Sequence, residues 1–288
     1  KWDNGEFKGD AISTTSELVK ISSDGNLGLE EGQKFERGGI YRFTVDVTKG
    51  NTKAVLTVEK VGKVDLPAPD IFFGNDKMEV TDTDIYKSEQ VFTQGQMITV
   101  TGIDNLNEWW IDPDFFEKQS DGALKFLPIN GDYRVTANAV LKYFSVMALK
   151  DGKPAKLQDD GTGAIWAIGK GIGKPSVASS EVGWEPGKAL CLAQVAPKKY
   201  QLTLKAGETL KTSGDPEVIS FKFFHQNDWG GEFGNYANSI LVEQLKLADS
   251  GNLEMQDNKA FEEGAVYRFT IDVTNGNANA DLKVEKIN

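Results

Sequence analysis

Two tryptophans in segments rich in glycine and polar residues are the side chains of this sequence best suited to binding a ligand. Trp184 lies in the turn-rich stretch 179–186 (SSEVGWEP), and Trp229 lies in 225–231 (HQNDWGG), directly after the alternating stretch 219–223. A large apolar ring outside a strand face is more typical of a contact surface than of a core. A flat indole can stack on the apolar C–H face of a sugar ring while polar neighbours bind its hydroxyl groups.

Polar side chains beside these rings complete the candidate site. Lys222 alternates with Phe221 and Phe223, so it faces solvent if the two phenylalanines are core residues. His225 has no orienting partner in the sequence, and we interpret it as a polar rim residue rather than a general base. The predicted ligand-binding residues are Trp184, Trp229, Lys222, Asn227, Asp228 and His225. The alternative for both tryptophans is a hydrophobic plug, and Trp166, inside an apolar run, is predicted to be core.

The composition excludes most metal and catalytic chemistries. A single Cys (Cys191) excludes an intramolecular disulfide and a cysteine-based zinc site. A single His (His225) excludes histidine-rich metal sites and does not favour a catalytic triad. The Asp- and Asn-rich turns do not fit the spacing of a calcium-binding EF-hand, so we interpret them as solvated turns. We therefore predict no cofactor, no metal site and no catalytic residue.

Two further motifs resemble functional motifs without matching them. In 169–174 (GKGIGK), Ile168 stands where a phosphate-binding loop needs its first glycine, so we predict a flexible loop after a strand. The segment 109–116 (WWIDPDFF) holds Asp112 and Asp114, the densest cluster of acids and aromatic rings. A glycosidase needs two carboxylates at a defined separation across a cleft. The favoured interpretation is a core segment with a capping turn, and the alternatives are a binding platform or a catalytic pair.

Charge and hydropathy restrict the partners. The 288 residues include 43 Asp and Glu against 32 Lys and Arg, a net charge of −11, which repels nucleic acid. No apolar run approaches the roughly 18 residues of a membrane-spanning helix, so we predict a water-soluble chain. A removed export signal would leave no trace in this sequence.

An internal repeat organises the elements that must carry the site. A shift of 226 positions aligns 5–61 with 231–287 without a gap, and roughly half of the aligned residues are identical. Both copies end in YRFT[VI]DVTxGN followed by LxVEK, whose period-two alternation predicts a β-hairpin. A weaker third similarity to the repeated motif lies in 125–149. Helix content is expected to be low, with short candidates at 112–119 and 238–247, and the second is equally compatible with a strand.

The repeat and two linkers rich in Pro, Gly and Asp predict three modules, at 1–63, 64–150 and 151–288. The predicted fold is all-β, a tandem of immunoglobulin-like β-sandwiches. The segment 1–63 is too short for a sandwich of about 100 residues. It corresponds to the C-terminal half of a module like 151–288, and we favour an upstream segment that this sequence lacks over another segment completing its sheet.

The order of motifs in 163–233 resembles a known family. The strand IWAIG, the turn GWEPxKA, the stretch YQLT and FKF with its tryptophan loop are similar to the starch-binding modules of amylolytic enzymes. They are closer still to the outer-membrane lipoproteins SusE and SusF. The resemblance implies one site built on Trp184 and Trp229, with Lys222, Asn227 and Asp228 as polar partners.

For function, the resemblance implies a non-catalytic cell-surface protein that captures oligosaccharide or polysaccharide for an uptake system. It implies attachment to the outer membrane through a lipid anchor not present in this chain, and partnership with a glycan transporter and associated lipoproteins. A structural or adhesive protein built of tandem sandwiches is the alternative, and it predicts that both tryptophans are buried in module interfaces. An enzyme comes third and predicts two carboxylates facing one cleft.

Overall fold

The all-β prediction is confirmed by the architecture of a computed structural model, which describes residues 7–212 and 218–288. Over these residues the only α-helix is the four-residue α1 (Val177–Ser180), and three short 3₁₀ turns lie at Leu106–Glu108, Pro186–Lys188 and Asn277–Asn279. Residue contacts divide the chain into two units, 1–68 and 69–288. Within the described ranges, no helix has the length and apolar character that crossing a membrane requires.

Unit 1 (1–68) contains two small sheets. Its strands are β1 (Ile12–Thr14), β2 (Val19–Ile21), β3 (Leu27–Leu29), β4 (Gly39–Asp46) and β5 (Ala54–Lys63). The first sheet has the order β1-β5-β4, in which β1 runs parallel to β5 and β4 runs antiparallel to it. The second sheet is the antiparallel pair β2-β3. The predicted hairpin is thus the pair β4-β5.

The first part of unit 2 (69–288) surrounds an aromatic core. Its strands are β6 (Phe72–Phe73), β7 (Asp76–Lys77), β8 (Glu79–Asp82), β9 (Ile85–Phe92), β10 (Met97–Ile98), β11 (Val100–Thr101), β12 (Phe116–Lys118), β13 (Leu124–Phe126), β14 (Gly131–Asn138), β15 (Tyr143–Lys150) and β16 (Lys153–Pro154). The main sheet has the order β16-β15-β14-β9-β8, beside the small sheets β10-β13-β12 and β11-β6-β7. Phe73, buried, contacts Phe116 and Phe144 edge to face.

The second part of unit 2 is a β-sandwich. Its strands are β17 (Trp166–Gly173), β18 (Glu181–Gly183), β19 (Leu190–Cys191), β20 (Ala193–Ala196), β21 (Lys199–Lys205), β22 (Ser220–Phe224), β23 (Asn238–Ile240), β24 (Leu245–Leu247), β25 (Leu253–Met255), β26 (Val266–Asp272) and β27 (Asp281–Lys286). One sheet has the order β18-β17-β22-β25-β24, with β19 also paired to β17, and the other has the order β20-β21-β26-β27-β23. Phe221 and Phe223 on the first sheet contact Phe269 on the second, so these faces form the core.

The sequence repeat is also a repeat of strand order. Shifting β1, β2, β3, β4 and β5 by 226 positions places them on β23, β24, β25, β26 and β27. The pairings match as well, since β23 runs parallel to β27 as β1 does to β5. The candidate helix 238–247 therefore contains two strands, and 112–119 contains a turn and β12. The apolar alternation of these short segments reflects burial of one strand face.

The predicted linker after residue 150 contributes structure to the preceding sheet. β16 pairs with β15 through Leu149–Pro154 and Lys150–Lys153, and the indole Nε1 of Trp166 donates a hydrogen bond to the carbonyl of Ala155 at 3.0 Å. One continuous apolar core runs through both parts of unit 2. The three-module division of the chain stays a prediction. Residue contacts group 69–150 and 151–288 in one unit.

The predicted flexible loop at 169–174 is wrong. Gly169, Gly171 and Gly173 lie on β17, which pairs with both β18 and β22. A register shift between Gly169 and Gly173 marks an irregularity in this strand. Gly169 has φ +141°, and a Cβ there would lie 2.3 Å from the Cα of Phe221. Gly169 lets β22 approach β17 closely, which is a reason for glycine within a strand.

Candidate functional site

Strand β22 directs one set of side chains into the sandwich and another set out of it. Phe221 and Phe223 are fully buried against the facing sheet. Because side chains alternate along a strand, Lys222 and Phe224 point to the opposite face. Lys222 is half-buried, and Phe224 is buried beneath Trp229. The outward orientation predicted for Lys222 follows from the burial of its two neighbours.

The loop after β22 folds back on its own strand and presents Trp229. The backbone N–H of His225 donates to the carbonyl of Gly231 at 2.7 Å, and Phe224 forms a bridge to Glu232. Within the loop, the amide of Gln226 donates to the carbonyl of Trp229 at 2.6 Å. These bonds hold the loop closed before any ligand binds, which reduces the conformational entropy lost on binding.

Trp184 comes from the edge of the same sheet. It follows β18, which pairs with β17 through Gly183 and Gly169. The antiparallel register places Trp184 at the level of Ile168, whose neighbour on the other side is Lys222. The 3₁₀ turn Pro186–Lys188 then returns the chain to the sheet at β19. Trp184 is partly buried against the core of the sandwich.

The two tryptophans meet although 45 positions separate them in the sequence. Their ring centroids are 6.3 Å apart, and their planes are inclined by only 27°. Trp229 is 52% exposed and stands edge to face on Phe224, with centroids 6.0 Å apart. We call Trp184, Trp229, Phe224 and Lys222 the tryptophan surface. Its indole planes are nearly parallel and supported from below by a buried ring.

The polar residues near Trp229 differ in their availability. Asp228 is exposed, and one of its carboxylate oxygens accepts the backbone N–H of Trp229 at 2.8 Å, so it fixes the loop. Neither Asn227 nor Lys222 has a side-chain hydrogen bond or ion pair to any residue in 7–212 or 218–288. Both retain their full capacity to bind a ligand. A lysine ammonium donates hydrogen bonds, and an amide both donates and accepts them.

His225 does not join the tryptophan surface. It shares the alternation of Phe221 and Phe223, and its ring packs edge to face on Phe233 at 4.4 Å. With Asp159, Glu232 and Asn277 it lines a separate cleft of about 620 Å³. Burial lowers the pKa of His225 below its ordinary value of 6.5, and the Asp159 carboxylate opposes this shift. The imidazole is therefore neutral at pH 7.

Asp112 and Asp114 form a buried ion cluster with Lys174. The ammonium of Lys174 donates to both oxygens of Asp112, at 2.9 and 2.7 Å, and to Asp114 at 3.1 Å. Asp114 also accepts hydrogen bonds from the backbone and hydroxyl of Thr203 at 2.6 Å and from the amide of Gln201 at 2.7 Å. The predicted core role of 109–116 agrees with the burial of Trp109, Phe115 and Phe116.

The electrostatic environment of this cluster shifts the pKa values of the two carboxyl groups in opposite directions. Burial raises the pKa of Asp112, although the Lys174 charge opposes the rise. Burial would also raise the pKa of Asp114, but the Lys174 charge and the hydrogen bonds from Thr203 and Gln201 outweigh it and lower that pKa. The same carboxylates outweigh desolvation at Lys174 and raise its pKa. The cluster joins 112–114 to Lys174, directly after β17, by ion pairs and to β21 by hydrogen bonds.

A cavity of about 410 Å³ lies beside this cluster, and its walls include Trp110, Tyr143 and Asp112. Asp114 is turned toward Thr203 and Gln201 and does not line the cavity. The two carboxylates therefore do not face each other across an open cleft. Over the described ranges, no group of three or more His, Cys, Asp or Glu side chains is arranged to hold a metal ion.

Two features of these sites were missed from the sequence. Phe224 supports Trp229, and its position directly after FKF in the alternation of β22 is a signal that could have identified it. Lys174 is the partner of the two aspartates, 60 and 62 residues away from them. Nothing in the local sequence indicates that long-range pair.

Comparisons with known proteins give family matches without a described activity. The sequence pattern of a family described as a domain of unknown function, DUF5121, matches residues 1–48 and 160–274. The pattern of a second family, the domain of unknown function DUF5125, matches residues 52–157. No curated protein matches the chain. The DUF5121 matches fall on both copies of the repeat and include Trp184, Lys222 and Trp229.

Proposed function

The chain belongs to the DUF5121 family, and we propose that it is a non-catalytic protein that binds oligosaccharide or polysaccharide on its tryptophan surface. The observation that carries this proposal is the meeting of Trp184 and Trp229, with nearly parallel planes, on one face of the sandwich. Trp229 is 52% exposed beside the partly buried Trp184, and an aromatic patch at the surface is typical of an interaction site.

The proposed mechanism is stacking on a preformed surface. A pyranose ring lays its C–H face on the exposed indole of Trp229, and the next part of the glycan contacts Trp184. Lys222 and Asn227 bind hydroxyl groups, because their side chains have no competing partner in the part of the chain described here. Asp228 holds the loop and offers its remaining acceptor positions. The closed loop keeps the entropy lost on binding small.

The charge of the chain favours a neutral glycan. The net charge is −11, and Asp228 lies beside Trp229 at the surface. A polyanionic glycan would be repelled by this field. We therefore expect binding of hydroxyl-rich neutral glycans, with little dependence on salt concentration.

The biological setting that we propose rests on the resemblance to SusE and SusF. The protein would display its tryptophan surface at the outside of the outer membrane, held there by a lipid anchor. It would pass captured glycan to a transporter and act beside associated lipoproteins. Its contribution would be to raise the local concentration of substrate.

A structural or adhesive protein without a glycan site is the competing proposal. It requires both tryptophans to be buried between modules. Trp229 is 52% exposed and Trp184 is only partly buried, which supports the glycan-binding proposal over this rival.

Affinity electrophoresis tests the proposal directly. The wild-type chain would be run in native gels containing soluble starch, dextran, galactomannan or xyloglucan, with alginate as a polyanionic control. We expect at least one neutral glycan to retard the wild type, and Trp229→Ala to migrate as it does without glycan. Equal retardation of both proteins would remove Trp229 from the site, and no retardation by any neutral glycan would oppose the proposal.

A further inference from the structure

Unit 1 exposes side chains whose counterparts in unit 2 form a core. Phe43 is 48% exposed and its counterpart Phe269 is fully buried. Val45 is 45% exposed, whereas Ile271 is fully buried. We call this set the open face, and it consists of Leu27, Leu29, Phe35, Phe43, Val45 and Val47. The corresponding residues at the 226-residue shift are buried throughout, namely Leu253, Met255, Phe261, Phe269, Ile271 and Val273.

The open face belongs to a folded framework. Phe35 packs edge to face on Tyr41, with centroids 4.7 Å apart and planes at 75°. The corresponding pair, Phe261 and Tyr267, has centroids 4.6 Å apart and planes at 65°. The half of the core that unit 1 supplies for itself, around Val19, is buried. The Phe35–Tyr41 pair of unit 1 therefore already has the arrangement of its counterpart in the sandwich core.

The second copy shows what covers this face. There, β21 adds antiparallel to β26 and places Leu202 opposite Phe269. β22 adds antiparallel to β25 and places Phe221 opposite Leu253. Phe221 and Phe223 then pack on Phe269, with centroids 5.5 and 6.3 Å apart. Both covering strands belong to the segment that precedes the repeated half in the chain.

Within residues 7–212 and 218–288, the equivalent strand edges of unit 1 have no further strand paired to them. In the described ranges β4 pairs only with β5, and β3 pairs only with β2. An unpaired edge offers a row of backbone donors and acceptors to an added strand. Apolar side chains beside such an edge make strand addition the expected mode of recognition.

We propose that the open face is an interaction surface that is covered by a strand-bearing segment equivalent to residues 160–224, joined to the N-terminal side of this half-module as in the second copy. One strand adds to β4 as β21 does to β26, and another adds to β3 as β22 does to β25. The DUF5121 matches agree with this, because they end at 48 and 274, positions that differ by the 226-residue shift. Residues 1–48 thus correspond to the C-terminal part of a domain whose N-terminal part corresponds to the covering segment.

The gapless repeat allows a direct test. A chimera would carry residues 151–230 followed by residues 5–288, so that residue 5 takes the place of residue 231. Hydrogen exchange of the β4 amides (Gly39–Asp46) would be compared with the original chain. We expect exchange at least about 100-fold slower in the chimera, because covered central strands open only by larger unfolding. The original chain should bind the apolar dye ANS, and the chimera should have lost this binding.

A matched substitution controls for a general effect of the added segment. Val45→Asp should leave the fold of the original chain intact, because this side chain is exposed, and should abolish the added protection in the chimera. Unchanged β4 exchange in a folded chimera would overturn the proposal. If the chimera does not fold, Val45→Asp is tested in the original chain alone. A Val45→Asp variant that is as stable as the original chain but no longer binds ANS supports the proposal. A Val45→Asp variant that is less stable than the original chain overturns it.

The oligomeric state of the original chain separates this occupant from a second copy. Sedimentation velocity across a concentration series should give a monomer that binds ANS. A dimer that loses ANS binding as it forms, and that Val45→Asp dissociates, would assign the open face to a second copy and overturn the proposal. These readouts do not involve the tryptophan surface, so they stand or fall separately from glycan binding.

Discussion

Replacing Trp229 by alanine should weaken glycan binding by a factor that follows from its exposure. A tryptophan side chain presents about 250 Å², and Trp229 is 52% exposed, so about 130 Å² faces solvent. A pyranose covers one of the two ring faces, about half of this area. At about 25 cal/mol per Å², burial of that face is worth about 1.6 kcal/mol. The dissociation constant should therefore rise about 15-fold.

Isothermal titration calorimetry with the glycan that retards the wild type most strongly would measure this change. The matched control is Phe43→Ala, which removes an aromatic ring of similar exposure, 48%, from unit 1. We expect the control to bind as the wild type does and both variants to keep the wild-type melting temperature of unit 2. A Trp229→Ala protein with unchanged affinity would refute the stacking argument, as would equal losses in the two variants.

Three further predictions concern stability, pH dependence and glycan binding. Lys174→Met should lower the free energy of unfolding by about 3–5 kcal/mol, because it removes the ammonium partner of two buried carboxylates. The control Lys188→Met breaks an exposed ion pair with Glu185 and should lower the free energy of unfolding by less than about 1 kcal/mol. Urea unfolding would measure both changes. The pKa of the only histidine, His225, is lowered from 6.5, so its Cε1–H NMR signal should titrate below that pH. Stability should then fall as pH drops below about 6.5, where the unfolded chain takes up the proton first, and His225→Gln should remove this part of the loss. Gly231→Ala should weaken glycan binding without unfolding the sandwich, because Gly231 has φ +67° and the added Cβ would lie 3.2 Å from the Cβ of His225. Calorimetry would measure the glycan affinity, and circular dichroism would check that the fold is intact.

The strands of the repeat could be predicted because their signals are local. The alternation through Tyr41, Phe43 and Val45 gives a half-buried strand wherever it occurs, and both copies form the hairpin. The outward position of Lys222 followed from the same alternation. That alternation also places His225 with Phe221 and Phe223, so its separation from the tryptophan surface was open to prediction.

The remaining features depend on pairings that no local pattern records. Trp184 reaches Trp229 because β18 pairs with β17 while β17 pairs with β22. Lys174 reaches Asp112 only once β17 lies beside the 109–116 segment. In 169–174 the glycines indicate loop conformations, and the close approach of β22 to β17 overrides that preference. Such contacts are set by tertiary packing.

The most direct test of glycan binding on the tryptophan surface is a crystal structure of the chain with the neutral glycan that binds most tightly. We predict a pyranose ring in van der Waals contact with the indole face of Trp229, within about 4 Å, and a neighbouring part of the same glycan on Trp184. Hydroxyl groups should bond to Lys222 or Asn227. A glycan held in the His225 cleft or in the cavity beside Trp110, with the tryptophan surface bare, would contradict the account.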